Sequence, residues 1–388
     1  MSERKSNILR QSNSEFQSFF ENFFRKSLDS NKTNYTFSDI LSKKIVDLQK
    51  LQKHCFFHNF SLPEEDRPLI WMLLLGYLNP ESETWEETSL LNKQLYEKCL
   101  NEVFIKNEMN EKNEKNGGKI DHPLNIQKTS CWNIYFNDRT LWNTIEKDTK
   151  RTRSDLKFFK ELIQKDYPTL KKKEIQINEE KTDDERMEVK MERKIDVLTR
   201  MLFVYAKTHP FIDYVQGMNE ILATLFYCFS KNKRDIFGKT LESDTYICFC
   251  LLMSELKENF TKVKDCSLLA LRTNLKRFDK LLKRVDPKLW DHLQNNNICT
   301  EIYSTRWLLL LLTQDFSIDD IAKLWDMLLS FYDKQKFINY LSLAIILNFR
   351  EGIINGTFEE IHILLKQFSS LKLEKIMCLA VSLSEEFN

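Results

Sequence analysis

Residues 195–229 read IDVLTRMLFVYAKTHPFIDYVQGMNEILATLFYCF, and this stretch decides the fold class. Its first apolar residues recur every three or four positions, as on one face of a helix (Ile195, Leu198, Met201, Leu202 and Tyr205). Proline interrupts a helix interior, so this helix is predicted to end before Pro210. The apolar run at 221–229 predicts a second helix after a short connection.

The same helical spacing continues on both sides of this stretch. Leu41, Ile45, Leu48 and Leu51 are interpreted as one stripe. Further helical patterns occur at 70–77, 246–256, 268–282, 307–312, 318–329, 338–349 and 358–368. No convincing alternating strand pattern interrupts them. With only 7 Gly and 7 Pro, the chain also lacks the turn residues of β-rich or doubly wound folds, so an all-α fold is predicted.

Composition limits the function classes. The 388 residues are 42% hydrophobic, enough for one large domain or two joined lobes. Lys and Arg number 58 against 57 Asp and Glu, so no global field points to nucleic acid or to an anionic membrane. The start of the chain is polar and no apolar run reaches the ~20 residues of a membrane span. Nine cysteines without a Cys-x-x-Cys pair are typical of reduced thiols, so a soluble cytosolic protein is expected.

Three segments stand apart from the helical patterns. Residues 1–37 are polar except for a phenylalanine stripe at helical spacing (Phe16, Phe19, Phe20, Phe23 and Phe24). This stripe predicts either a helix packed on the main domain or a docking helix for a partner or membrane. Residues 105–120 and 171–194 are highly polar or charged with few large apolar residues, so they are predicted to be mobile insertions, the second alternatively a solvated helix extension.

Motifs of self-contained enzymes are absent: there is no Walker phosphate loop, dinucleotide fingerprint, metalloprotease helix or nucleophile elbow. This absence favours an activity completed on the active site of another protein. Two short segments then stand out. They are Ile145-Glu-Lys-Asp-Thr-Lys-Arg151 and Tyr214-Val-Gln-Gly-Met-Asn219.

These segments resemble the I-x-x-D-x-x-R and Y-x-Q-G-M-N motifs of the TBC-domain family of Rab GTPase-activating proteins. Further motifs of that family stand in the same order: Arg67-Pro-Leu-Ile-Trp71, the run at 121–138 and Leu324-Trp325-Asp326. The resemblance covers about residues 55–350. Any one motif is weak, but five in one order make coincidence improbable. We assign Arg67, Trp71, Trp132, Trp325 and Asp326 to the structure, because tryptophans and paired ions near helix starts usually fix packing.

The resemblance implies a two-lobed all-α TBC domain over residues 38–388, with lobes at about 38–235 and 236–388 that meet in a groove. A GTP-bound Rab GTPase is the implied partner, activated in trans by a protein that is not itself a hydrolase. No metal or cofactor is expected, since Mg²⁺ and GTP belong to the GTPase. Because Rabs are lipid-anchored, a cytoplasmic protein recruited peripherally to endomembranes, acting in vesicle trafficking, is expected.

The resemblance also assigns the two catalytic roles, an arginine finger to Arg151 and a glutamine finger to Gln216. An arginine suits the first role because its guanidinium is always charged and reaches two phosphate oxygens at once. A glutamine amide suits the second because it can accept a hydrogen bond from the attacking water while donating another. Gln216 would then replace the glutamine of the GTPase itself.

Four residues are expected to support the fingers. Asp148 stands at i−3 from Arg151, so one continuous helix would place both on the same side, where Asp148 holds the guanidinium. Tyr214 would anchor the glutamine loop, Gly217 would allow close backbone approach and Asn219 would hydrogen-bond to the loop. Taken alone, such an Asp/Arg pair is usually a surface salt bridge.

Two features depart from the family pattern. The charged segment 171–194 lies between the two finger residues, but loop-closure entropy grows slowly enough for such an insertion. Asp213 stands where many relatives have glycine.

Two alternatives to a GTPase activator remain. The chain could be a Rab-binding effector or scaffold that does not accelerate hydrolysis, or a helical interaction protein with no GTPase partner. A pure binder needs neither Arg151 nor Gln216.

Overall fold

The computed structural model describes residues 35–58, 62–114, 130–164, 167, 191–232, 240–256, 260, 264–366 and 372–387. Helices dominate this part of the chain, which confirms the predicted all-α class. In chain order they are α1 Phe37–Leu41, α2 Leu48–His58, α3 Arg67–Leu74, α4 Trp85–Glu114, α5 Cys131–Thr149, α6 Lys194–Thr208, α7 Met218–Phe229, α8 Leu241–Leu256, α9 Lys264–Val285, α10 Pro287–Asn295, α11 Thr300–Leu310, α12 Ile318–Ser330, α13 Lys334–Asn348, α14 Arg350–Asn355, α15 Phe358–Leu364 and α16 Leu373–Phe387. Short 3₁₀ turns lie at Ser82–Thr84 and Lys157–Lys160.

The described residues also contain a small antiparallel ladder, which corrects the prediction that no strand interrupts the helices. Strand β1 (Leu162–Gln164) pairs with β2 (Met191–Arg193), with Ile163 opposite Glu192. Three residues per strand are too few to show a period of two in a sequence.

Two compact units divide the described residues. One comprises those up to Trp85 together with those after Lys262, and the other those from Glu86 to Lys262. The first unit is therefore discontinuous in sequence. The continuous lobes proposed from the family resemblance, with a boundary near residue 235, stay a prediction.

The first unit contains a buried ion pair between residues far apart in sequence. Arg67, in the first turn of α3, donates from Nε to both carboxylate oxygens of Asp326 at 3.0 and 3.1 Å and from Nη2 at 3.0 Å. Trp71 Nε1 donates to the same carboxylate at 2.8 Å, and the Trp71 and Trp325 rings pack 5.6 Å apart. All four side chains are buried. Their placement agrees with the structural role assigned to them from the sequence.

Helix α6 forms the centre of the second unit. Its residues from Val197 to Ala206 are all buried, and those at its two ends are half-buried. It packs against α5, α7 and α8. Arg200, fully buried on this helix, donates to the carboxylates of Glu192 on β2 and Glu242 on α8 at 2.6–2.8 Å. The helix begins after Arg193 and ends at Thr208, so the predicted end before Pro210 is confirmed.

The stripe predicted at 41–51 is wrong as one helix. Helix α1 ends at Leu41 and α2 begins at Leu48, where Asp47 accepts from the backbone N–H of Lys50 at 3.0 Å. Ile45 lies between them in an isolated antiparallel bridge with Glu81 and is 65% exposed. Hydrogen bonds to residues 80–82 therefore replace helical ones at this point.

The predicted insertions are described only in part. Helix α4 continues through Glu114, so the backbone of 105–114 is helical. Residues 191–194 form β2 and the start of α6. Residues 115–120, 171–190 and the phenylalanine stripe at 16–24 lie outside the described residues. No helix in the described part of the chain is both long and apolar enough to cross a membrane.

We expect Asp326→Asn to lower the free energy of unfolding by about 3–5 kcal/mol, because it leaves the buried Arg67 guanidinium without its counter-charge. Urea unfolding followed by circular dichroism measures the change. Asp319→Asn, at an exposed residue in the first turn of the same helix, is the matched control and should cost less than about 1 kcal/mol. Equal stability of the two variants would show that the buried pair contributes nothing.

Candidate functional site

The C-terminal end of α5 is anchored inside the second unit. Ile145 is fully buried, and Thr149 Oγ1 lies 2.7 Å from Thr199 Oγ1 on α6. About three turns earlier on α5, Asp138 accepts at both carboxylate oxygens from Lys207 Nζ on α6, at 2.7 and 2.9 Å. These contacts fix where α5 ends, and hence where the residues after it lie.

Arg151 lies beyond the end of this helix, which corrects the expectation that it shares a helix with Asp148. Helix α5 stops at Thr149, and the N–H of Arg151 donates to the Asp148 carbonyl at 3.1 Å in a turn. The ion pair forms nevertheless: Arg151 Nη2 donates to Asp148 Oδ1. The Asp148 side chain is 9% exposed, whereas the Arg151 side chain is 70% exposed. A buried anion therefore holds one edge of an exposed cation.

The loop between α6 and α7 is shaped by two residues in the left-handed backbone region. Asp213 has φ 61° and Gly217 has φ 104°. The N–H groups of Ile212 and Asp213 both donate to the carbonyl of His209, at 3.0 and 2.9 Å. Glycine adopts positive φ without strain, and aspartate tolerates it better than most residues. The positive φ gives a physical reason for the preference for glycine at position 213.

A tyrosine and an asparagine connect this loop to the end of α5. Tyr214 Oη lies 2.9 Å from Asp148 Oδ2 and 3.2 Å from Asn219 Oδ1. Asn219 Oδ1 also accepts from the N–H of Gly217 at 3.0 Å. Burial raises the pKa of Tyr214 well above its ordinary value, and the Asp148 carboxylate raises it further. The hydroxyl therefore stays protonated and donates.

Thr152 completes the network and was missed by sequence reasoning. Its side chain is 1% exposed. Thr152 Oγ1 accepts from Asn219 Nδ2 at 2.7 Å and donates to the Asp148 carbonyl at 3.1 Å. The available signal was a short hydroxyl residue directly after the arginine of a motif, which suits a turn that needs a side-chain hydrogen bond.

Gln216 lies beside this network. Its neighbour Gly217 is buried and forms the N-cap of α7, while Gln216 itself is exposed. Among the described residues the Gln216 side chain makes no hydrogen bond. Its amide is therefore available to a partner, on a loop whose next residue is held by Asn219.

A second buried carboxylate adjoins the loop. Glu220, in the first turn of α7, lies 3.6 Å from Arg153 (Oε2 to Nε), and both side chains are about one-tenth exposed. Burial raises the pKa of Glu220 to about 7, although the Arg153 charge acts in the opposite direction. Sequence reasoning gave neither residue a role.

The structure thus brings Asp148, Arg151, Tyr214, Gly217 and Asn219 into one network, with Gln216 next to it. Chemically, the arrangement presents a restrained guanidinium and an unengaged amide. Within the described residues, no group of three or more His, Cys, Asp or Glu side chains is placed to hold a metal ion.

The fold and the sequence together define a TBC domain. Residues 128–354, more than half of the chain, match the Rab-GTPase-TBC domain family, and the chain belongs to that family. The predicted TBC-type fold class is thereby confirmed. Human TBC1 domain family member 13 is 31% identical over 365 residues, which cover 83% of this chain and 90% of the human protein.

Solved structures show the same fold. The crystal structure of the Ypt/Rab-GAP domain of Gyp1p has a TM-score of 0.66 at 20% identity, covering 90% of this chain and 96% of that one. The Chlamydomonas flagellar RabGAP TBC domain has a TM-score of 0.51 at 13% identity, covering 96% of each chain.

We expect the stability difference between Glu220→Gln and the wild type to depend on pH. The ordinary carboxyl pKa of 4.5 applies in the unfolded chain and about 7 in the native state. Between these values the native state binds more protons, so wild-type stability falls as pH rises. Glu220→Gln does not lose stability in this way. Its free energy of unfolding relative to that of the wild type should therefore rise by up to about 3 kcal/mol between about pH 5 and about pH 8.

Urea unfolding across that pH range measures the difference. Glu86→Gln, an exposed glutamate in the same unit, is the control and should show a flat difference. A flat difference for Glu220→Gln as well would show that Glu220 is ionised in the native state throughout.

Proposed function

We propose that this protein accelerates GTP hydrolysis by a Rab GTPase, supplying Arg151 and Gln216 to the active site of the GTPase. The observation that carries the proposal is the sharing of one buried carboxylate. Asp148 Oδ1 accepts from Arg151, and Oδ2 accepts from Tyr214, which lies two residues before Gln216 in the loop between α6 and α7. One carboxylate therefore contacts both the proposed arginine finger and the tyrosine two residues before Gln216, which supports the proposal.

Arg151 would stabilise the charge that develops on the phosphate oxygens in the transition state. An arginine supplied in trans typically raises the rate of GTP hydrolysis by ~10³–10⁵. Much of that gain depends on holding the guanidinium before the GTPase arrives, because immobilising a long side chain on binding costs conformational entropy. The ion pair with Asp148 restrains one guanidinium nitrogen and leaves the remaining donors exposed.

Gln216 would orient the attacking water. Its side chain is exposed, and the backbone immediately after it is fixed by the bond from the Gly217 N–H to Asn219. The amide can accept from water through its oxygen and donate through its nitrogen. A loop fixed in this way positions the amide without occupying its hydrogen-bonding groups.

The partner in this proposal is the GTP-bound form of a Rab, recognised by a protein that needs no metal or cofactor of its own. Gyp1 of Saccharomyces cerevisiae, named a GTPase-activating protein, is 22% identical over 312 residues and supports this class of activity. The site of action would be the cytoplasmic face of endomembranes in vesicle trafficking, with the protein recruited peripherally.

We expect Arg151→Ala to reduce single-turnover GTP hydrolysis by the substrate Rab ~10³-fold or more, while Rab binding persists. Arg151→Lys should be nearly as impaired, because an ammonium cannot bridge two phosphate oxygens. Purified Rabs loaded with GTP serve as the panel. Lys150→Ala, the exposed neighbour paired with Glu146 rather than with Asp148, is the control and should retain activity within about tenfold.

The same assay separates the alternatives. Acceleration lost in Arg151→Ala with binding retained supports catalysis in trans. Nucleotide-dependent binding without acceleration by the wild-type protein would make it an effector. Absence of binding to every Rab would refute the proposed partner.

We expect Gln216→Ala to lower the hydrolysis rate at least ~10²-fold, with unchanged affinity for the GTP-bound Rab, because it removes a group used on the attacking water. Replacing the catalytic glutamine of the Rab by alanine should cost much less in the presence of the wild-type protein. Gln94→Ala, an exposed glutamine on α4, is the matched control. Equal rates for Gln216→Ala and Gln94→Ala would remove Gln216 from the mechanism.

A further inference from the structure

From Arg272 to Arg284, the outward side of α9 (Lys264–Val285) is a continuous basic face. Six side chains make it up, all exposed: Arg272, Lys276, Arg277, Lys280, Lys283 and Arg284. With 3.6 residues per turn these positions span an arc of about 140°. Leu275, Phe278 and Leu282 occupy the opposite side and are buried. From residue 271 to residue 285 the helix is thus divided between an apolar side that packs in the first unit and a cationic side that meets solvent.

Carboxylates do not neutralise this basic face within the described residues. Asp279 is the one acidic residue between 271 and 285. Its Oδ1 accepts from Trp290 Nε1 at 2.9 Å and from Thr300 Oγ1 at 2.6 Å. None of the six basic side chains forms an ion pair with a described residue. Lys283 and Arg284 instead lie over aromatic rings, those of Trp290 at 3.7 Å and Phe387 at 5.0 Å.

Three arginines elsewhere in the described residues are used differently. Arg67, Arg200 and Arg350 each pair with a buried carboxylate. The net charge of +1 for the whole chain therefore conceals a local surplus on one helix. Exposed like charges repel one another, so a row of them costs stability unless an anionic partner approaches.

We propose that the basic face of α9 binds the anionic surface of a lipid bilayer. From Arg272 to Arg284 the face extends about 18 Å along one helix, so its cations can reach a flat surface together. Clusters of four to eight basic residues on an amphipathic helix are typical of binding to anionic lipids. This inference goes beyond GTPase activation and does not depend on it.

A membrane fits the face better than other anionic partners do. The remaining exposed residue between 271 and 285 is Thr273, so the face lacks the exposed aromatic side chains on which nucleic-acid bases stack. Its six cations do not converge on a pocket that would select a partner of fixed shape. Fluid lipid headgroups rearrange to meet charges wherever they lie, so a bilayer requires no such pocket.

Vesicle sedimentation with the full-length protein tests the proposal. We compare vesicles of phosphatidylcholine alone with vesicles that also contain phosphatidylserine. The double charge reversal Lys276→Glu/Lys280→Glu changes the middle of the face. It leaves Arg284, which lies over Phe387 next to Glu385 and Glu386 in sequence, unchanged. Lys43→Glu/Lys53→Glu, at exposed lysines of the same unit, is the control with an identical change in net charge.

We expect the wild type and the control to sediment with the anionic vesicles only, and less so at high salt because exposed charges are screened. The α9 variant should bind at least about tenfold more weakly. Lys276→Gln/Lys280→Gln, which removes charge without reversing it, should give an intermediate loss and guards against misfolding of the first variant. Hydrolysis stimulated on a soluble Rab without vesicles should be the same for all, so this proposal and the proposed function can fail separately.

Equal sedimentation of the α9 variants and the wild type would overturn the proposal. Wild-type protein that binds neutral and anionic vesicles alike, or neither, would overturn it too, and would leave an acidic protein or a nucleic acid as the partner of this face.

Discussion

Two buried side chains, Asp148 and Asn219, hold the end of α5 against the start of α7, and the candidate site depends on that constraint. An unpaired buried amide or carboxylate is costly, so each must find its partners inside the unit. Asp148 finds them in Arg151 and Tyr214, and Asn219 in Thr152 and the Gly217 N–H. Because these bonds are mutually dependent, the turn with the arginine and the loop with the glutamine are fixed together.

Buried and exposed basic residues have different surroundings in this protein. Two buried arginines are paired with carboxylates: Arg67 with Asp326 in one unit, Arg200 with Glu192 and Glu242 in the other. Such a pair adds little net stability, because desolvation offsets much of its attraction, yet removing one partner alone is costly. The exposed cations differ from these: Arg151 is paired at one edge of its guanidinium, and those on the basic face of α9 are not ion-paired with described residues. Unlike the buried arginines, both kinds of exposed cation are available to a partner's anions.

Periodicity predicted most helices, because each amphipathic stripe reports which side of a helix is buried. It failed at 41–51, where the spacing of four apolar residues suits one helix, yet hydrogen bonds to residues 80–82 separate two. The expectation that Asp148 and Arg151 share one helix also failed, because residues three apart can contact each other both in a helix and in the turn that ends it. Glu220 was missed because its importance lies in burial, which no local pattern showed. Thr152 was missed although a hydroxyl residue directly after the arginine of the motif was a usable signal.

The sequence by itself determined the helical class, the end of α6 before Pro210 and, through its motifs, which segments carry the candidate site. These are local properties, set by side-chain spacing, backbone restriction and the identity of short runs. The tertiary structure decided that α5 stops before Arg151, that one carboxylate restrains both the arginine and the tyrosine of the loop, and that six cations share one exposed face. Each of these depends on which groups are brought together and which are left in water, and that is settled only when the chain packs.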